Sequence, residues 1–156
     1  MIKNTDDFSV KEIFIRNMRP SDLPKVLKIE RLCFTTPWSE TAFLQEIENP
    51  YSLAKVALLE DEVIGYICID HVIDECHILN LAVQFDMRRR GVATSLLENA
   101  IGELRRKGCI TLTLEVRVSN YAAKKFYERF DFKESGLRRG YYTFPKEDAL
   151  IMIRKL

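Results

Sequence analysis

The chain is sparing with the residues that most readily announce a specialised class. It has four cysteines and two histidines. Cys33, Cys68, Cys76 and Cys109 follow no C-x-x-C spacing, so no zinc ribbon or redox motif is written into them. Each lies in an apolar stretch and is expected to be a reduced core thiol that packs like a small hydrophobe. With six glycines and five prolines there is no Gly/Ser linker or low-complexity tract. Nowhere do about 18 apolar residues run together, as a membrane span would need. The opening "MIKNTDDFSVKE" lacks the apolar core of a signal peptide. Charge of one sign is also missing: 24 basic and 23 acidic side chains leave a formal +1. That excludes a whole-molecule footprint for nucleic acid or membrane. The expectation is a soluble, cytoplasmic protein whose basic function, if any, is local.

What is present is enough for one domain. The 156 residues can bury a core without staples, and residues 1–11 read as a flexible lead-in to a single unit covering 1–156. "IFIRNM" (13–18) alternates as a strand. "RPSDLPKVLKIERLCF" reads as a helix with Ser21 as N-cap and Pro24 in its first turn. A second helix starts at "PWSETAFLQEI", capped by Ser39, with Trp38 and Phe43 spaced as a hydrophobic staple. "YSLAKVALLE", "EVIGYICIDHV" and "ECHILNLAV" predict three strands of an antiparallel meander. Val92, Leu96, Leu97, Ala100, Ile101 and Leu104 share one helical face. In "ITLTLEVRV" Ile110, Leu112, Leu114, Val116 and Val118 alternate with polar residues. Ser119-Asn120 can cap a helix carrying Phe126, Tyr127 and Phe130, and strands near 131–139 and 148–155 close the chain. The order β-α-α-β-β-β-α-β-α-β-β predicts an α/β (α+β) fold with a mixed sheet and helices on its faces.

Residues 87–100, "MRRRGVATSLLENA", place three arginines and a glycine at a strand-to-helix junction. Gly91 permits a tight turn and Ala93 keeps the first helical turn slim, so a ligand could approach the unpaired N–H groups there. Such donors with arginines beside them suit a pyrophosphate; arginines merely solvated at a helix start are the alternative. The stretch is neither a Walker A loop nor a Rossmann fingerprint. Cys68, His71, Cys76 and His77 could ligate zinc, but they fall on strand interiors without paired loop spacing, and no metal is expected.

Arg88-Arg89-Arg90-Gly91-Val92-Ala93 matches the Arg/Gln-x-x-Gly-x-Gly/Ala signature of the GNAT N-acetyltransferases. "LNLAV", "LEVRVSN", "FYERFDF" and "RRGYY…EDALIM" resemble the ribosomal-protein-alanine acetyltransferases (RimI type) and the archaeal N-terminal acetyltransferase catalytic subunits. The likeness runs from about Ile13 to the C-terminus. It implies the GNAT fold, a mostly antiparallel seven-stranded sheet with about four helices, and acetyl-CoA as cofactor. By that resemblance Arg88, Arg89, Arg90, Gly91, Val92, Ala93 and Thr94 hold the pyrophosphate. Leu81, Ala82 and Val83 form a bulged strand whose free backbone pairs with the pantetheine arm. Asn120 also contacts the cofactor, and Arg117 supports the site.

Acetylating an amine needs a neutral nucleophile and a proton for the departing thiolate. At neutral pH, neutralising an α-amino group costs about 1.4 kcal/mol, against about 4 to 5 for lysine, so a modest base serves an N-terminus. Alone, Glu115 reads as a strand carboxylate and Tyr127 as a core aromatic. The resemblance makes them base and acid, with His77 helping to hold a proton-relaying water. It further puts Phe34, Pro37 and Trp38 of "CFTTPWSE" and Tyr141-Tyr142 along the peptide groove. The helix loop lacks the glutamate of the auxiliary-dependent eukaryotic subunits, which favours a free-standing enzyme on Ala-, Ser- or Met-type starts. The expected partner is thus a protein N-terminus, in ribosome proximity, with no membrane and no direct nucleic-acid role. Three other readings compete. One is acetylation of lysine or a small amine, and another is a non-catalytic CoA sensor. The third is a basic RNA or ribosome adaptor using Arg88–Arg90 with Arg105, Arg106 and Lys107.

Overall fold

In the computed structural model, which describes residues 12–156, the chain runs through β1 (Phe14–Asn17), α1 (Leu23–Cys33), α2 (Glu40–Glu48), β2 (Ser52–Leu59), β3 (Glu62–Val72) and β4 (Glu75–Val83). It continues through α3 (Val92–Arg106), β5 (Thr111–Arg117), α4 (Tyr121–Arg129), β6 (Lys133–Thr143) and β7 (Lys146–Lys155). The lead-in expected at 1–11 lies outside the described residues. The strands form one sheet of order β1-β2-β3-β4-β5-β7-β6. Neighbours are antiparallel except β4 and β5, which run parallel and are joined through α3. No helix of the described residues is long and apolar enough to cross a membrane.

Alternation along the strands splits the interior into two layers. Leu112, Leu114 and Val116 of β5 join Leu96, Leu97 and Leu104 of α3 and Tyr127 and Phe132 in one cluster. On the opposite face Val56, Tyr66 and Cys68 meet Val26 and Ile29 of α1 and Phe43 of α2. The period-2 and period-3.6 patterns therefore aim at the same core. Gly65 of β3 belongs to this packing, since a Cβ there would lie 2.9 Å from the Ala82 carbonyl oxygen.

Local signals hold with three corrections. Ser39 accepts from Ala42 N (3.2 Å), and the Trp38 and Phe43 rings sit 5.2 Å apart as a staple. Ser21 does not cap α1. Residues Pro20–Asp22 form a separate 3-10 turn, and Asp22 stands at the cap position without a side-chain bond into α1, its carboxylate turned instead to Arg19 N (2.8 Å) and Arg16. Ile110 and Val118 fall outside β5 and are 55% and 39% exposed. Finally, Cys76 and Cys109 are not reduced core thiols: they form a disulfide, with Cα atoms 6.3 Å apart. The parallel register Cys76↔Leu112 carries the turn before β5 against the start of β4, a proximity no local pattern encodes. Cys33 and Cys68 are free, and burial pushes the Cys68 thiol well up.

Candidate active site

The parallel β4–β5 ladder is short. It pairs Glu75↔Thr111, Cys76↔Leu112 and His77↔Thr113 and then stops, while β4 continues along β3 to Val83 and β5 along β7 to Arg117. Beyond His77 the two strands part, leaving the β5-facing edge of β4 without ladder partners. The bulge expected at Leu81–Val83 falls earlier: Cys68 faces Asn80 and Ile69 faces Ile78, so Leu79 is the extra residue. Leu81, Ala82 and Val83 nevertheless lie on the open edge, in position to accept an added strand-like ligand.

That edge leads to the start of α3. Gly91 is the N-cap with φ +82°, a left-handed backbone that only glycine adopts without strain, and a Cβ there would meet nothing within 4 Å. The N–H groups of Val92, Ala93 and Thr94 have no intrahelical acceptor and face this open space. Arg89 (φ 61°) and Arg90 are exposed around the turn. Arg88 instead folds back toward α1, with Nε 3.3 Å from the Val83 carbonyl and Nη2 3.3 Å from Cys33 Sγ. It lines a cavity of about 360 Å³ with Lys25, Lys28 and Phe85 rather than the helix tip.

At the mouth of the parting strands sits a polar cluster. His77, Thr113 and Glu115 occupy the sheet face opposite Leu112 and Leu114. Glu115, its side chain 8% exposed, holds His77 Nε2 at 2.5 Å on Oε2 and Arg138 Nε at 3.2 Å on Oε1. His77 Nδ1 lies 2.7 Å from Thr113 Oγ1. Contacts at both ring nitrogens, Nδ1 with Thr113 and Nε2 with Glu115, fix the imidazole in one orientation. Both carboxylate oxygens thus have cationic or N–H partners, yet each keeps a further lone pair for an incoming proton.

Tyr127 belongs to the other layer. It is 8% exposed, edge-on to Phe126 and Phe132, and burial together with the Tyr142 charge holds its hydroxyl proton well above the usual tyrosine range. Asn120 caps α4 by accepting from Ala123 N (3.1 Å), which leaves its amide N–H groups free to donate. Arg117 is structural. It donates to the Phe144 and Pro145 carbonyls (both 2.9 Å), pairs with Glu147 at 3.2 Å and lies over the Tyr142 ring at 4.2 Å.

The β6–β7 hairpin and the α1–α2 loop meet above this cluster, where Thr35 Oγ1 donates to the Phe144 carbonyl at 2.6 Å. Phe34 and Pro37 are exposed on the loop. Trp38 turns inward against Phe43, so it anchors the loop rather than lining it. Tyr141 is 50% exposed and edge-on to Tyr142, whose hydroxyl burial pushes up to about 12. Sequence reasoning passed over Thr35, Thr113 and Arg138. The period-2 pattern places Thr113 beside Glu115, and "RRGYY" flanks Arg138, but only the fold brings them to the carboxylate. Among the described residues no three His, Cys, Asp or Glu side chains gather as metal ligands. Cys68 and Cys76 point to opposite faces of the sheet.

Comparison with known proteins meets this geometry. The model of the "Acetyltransferase (GNAT) family" matches residues 23–132. The ribosomal protein bS18-alanine N-acetyltransferase of Salmonella typhimurium (strain LT2) is 40% identical over 134 residues, covering 85% of this chain and 90% of that protein. An N-alpha-acetyltransferase of Saccharolobus solfataricus is 32% identical over 160 residues, covering 94% and 95%. Among solved structures, the ribosomal-protein-S18-alanine N-acetyltransferase from Escherichia coli superimposes with a TM-score of 0.85 at 36% identity, covering 92% of this chain and 94% of that one.

Proposed function

Since the chain belongs to the acetyltransferase (GNAT) family and uses acetyl-CoA as its donor, we propose that its acceptor is the α-amino group of a protein or nascent-peptide N-terminus. The observation that carries the reading is the buried Glu115 carboxylate, oriented by His77 and Arg138 where β4 and β5 part. An α-amino group, which ionises near pH 8, is neutral often enough at physiological pH to ask little of a base, whereas lysine, above about 10, asks far more.

The open edge of β4 and the Gly91 turn fit the cofactor. Leu81, Ala82 and Val83 would pair their backbone with its extended arm. Arg89, Arg90 and the N–H groups from Gly91 to Thr94 would hold its phosphates, with Asn120 donating from the α4 start. Arg88 reaches that role by swinging away from Cys33. The bound thioester supplies the activated acetyl group. Glu115 takes the proton from the substrate nitrogen through an ordered water on its free lone pair, and His77 helps by orienting the carboxylate. Tyr127 keeps its proton on Oη, directed at the departing sulfur. The exposed Phe34 and Pro37 and the Tyr141-Tyr142 pair flank the incoming peptide, and the Thr35 contact between loop and hairpin narrows the approach so that a chain end is favoured over an internal side chain.

The names of the relatives support a ribosomal-protein start such as alanine as the substrate class, with serine and methionine as further candidates. The test is acetylation of short peptides varied at their first two residues and carrying an internal lysine, read by fragment masses. Label on the N-terminal residue, strongest for Ala, Ser or Met, is expected. Label on lysine overturns the assignment.

A further inference from the structure

The second polar feature on this sheet face is a single carboxylate, Glu30 of α1, only 1% exposed. No cation accompanies it. Its partners are the Tyr66 hydroxyl (2.5 Å), the Asn80 side-chain amide (2.8 Å) and the Trp38 backbone N–H (3.1 Å), all donating to its two oxygens. An apolar residue of similar volume would avoid the cost of burying this group, so its presence needs a reason beyond packing.

The partners supply one. Trp38 belongs to the loop at 34–39, and its N–H bond to Glu30 ties that loop to α1 just before the Ser39 cap, as the Thr35 bond ties it to the hairpin. Asn80 follows the Leu79 bulge and precedes Leu81 on the open edge of β4. One carboxylate therefore hydrogen-bonds the peptide-side loop through Oε2 and the cofactor-side strand through Oε1. A ligand that fixes the β4 edge fixes Asn80, and through Glu30 the position of Trp38 N. The converse holds for a peptide seated against the loop.

We propose that Glu30 is a positioning residue that couples acetyl-CoA binding along β4 to peptide binding at the 34–39 loop. The inference rests on the functional reading above. Because coupling between two bound ligands is reciprocal, CoA must tighten peptide binding by the same factor as peptide tightens CoA binding.

Calorimetry with CoA and an Ala-initiated pentapeptide, each titrated with and without the other, tests this. In the wild type both arms are expected to show a gain of about tenfold. Glu30→Gln keeps the shape but removes an acceptor, and its gain is expected to fall close to one. Peptide KM should then rise while kcat at saturation stays within about threefold. Asn80→Ala, which cuts the strand arm alone, is expected to lose the coupling in the same way. Tyr66→Phe, which removes the third donor and leaves the Asn80 and Trp38 bonds to Glu30 in place, is expected to keep it. Coupling absent from the wild type, or intact in both Glu30→Gln and Asn80→Ala, overturns the proposal. Failure of the wild type to acetylate any peptide start overturns the functional reading beneath it, whereas normal acetylation with unchanged coupling in those variants overturns only the role of Glu30.

Discussion

The two faces of the sheet are built to different rules. Against α3 and α4, Leu96, Leu97, Leu104, Leu112 and Leu114 make an apolar layer whose polar exceptions are the Tyr127 tip and the Lys55–Glu103 ion pair at 2.8 Å. Against α1 and α2, the layer around Val26, Ile29 and Phe43 is threaded by Asp22, Glu30, Tyr66 and Asn80 and bordered by His77, Thr113 and Glu115. Buried polar groups cost stability unless every member is paired. The first face therefore supplies cohesion, and the second accepts that cost in exchange for orientation. In the proposed mechanism the acid, Tyr127, belongs to the first face and the base, Glu115, to the second.

Breaking the chemistry without breaking the fold is the severest test of this contrast. Glu115→Gln is nearly isosteric on the polar face, and we expect kcat for N-terminal peptide acetylation to drop by about 10² to 10³, or roughly 3 to 4 kcal/mol of barrier. Its melting temperature should stay near that of the wild type. Turnover within a few-fold of wild type would remove Glu115 from the chemistry.

The mirror experiment strikes the apolar face. Leu104 is fully buried beneath α3, and Leu104→Ala is expected to cost about 3 kcal/mol of unfolding free energy through lost burial and a residual cavity. Urea titration measures it. The KM values of the folded variant should not move, and a selective loss of activity at unchanged stability would erase the division of labour between the faces.

Legibility in the sequence follows the same divide. The apolar face is recorded locally: the helical stripe from Val92 to Leu104 and the alternation of Leu112, Leu114 and Val116 each repeat with the period of their element, and both appear where expected. Gly91 was readable because a left-handed turn before a helix leaves few choices of residue. The polar face is assembled from distant parts. Arg138 reaches Glu115 from 23 positions away along the chain, Glu30 meets Asn80 across 50, and Cys76 meets Cys109 across 33. No periodicity reports such encounters. Ser21 failed as a cap for a subtler reason. Asp22, one residue later, binds Arg19 N and Arg16 on the upstream side, which closes a 3-10 turn ahead of the helix and leaves Ser21 inside that turn.

Asp22 offers a smaller and pH-dependent way to sharpen the comparison. Burial works against its ionisation, but the hydrogen bonds from Arg16 and Arg19 N–H outweigh that and hold the carboxyl below its usual range. A depressed folded value means stability present above the unfolded pKa, about 3.9, and lost as pH falls through the folded value. Asp22→Asn should thus cost about 2 kcal/mol at pH 7, and the gap to wild type should narrow steadily below about pH 4. Urea titrations of both proteins at pH 7 and pH 3 measure the difference. A gap equally wide at both values would mean that shape, not charge, does the work.

The smallest expected effect concerns Tyr127, the proposed general acid on the apolar face. A general acid must still hold its proton when the base has released its own. In water tyrosine begins to lose that proton near pH 10. Burial among Phe126, Phe132 and the α3 layer pushes the Tyr127 hydroxyl higher, so an acid at this position keeps its proton throughout the range in which an α-amino group becomes neutral. The profile of kcat should therefore rise as the amine loses its proton, level off by about pH 9 and show no decline attributable to tyrosine below about pH 10. Tyr127→Phe should lower the plateau without shifting the rising limb. A fall in the wild-type profile between pH 8 and 9 that disappears in Tyr127→Phe would show a hydroxyl easier to ionise than free tyrosine. The apolar layer would then not be what keeps the acid protonated.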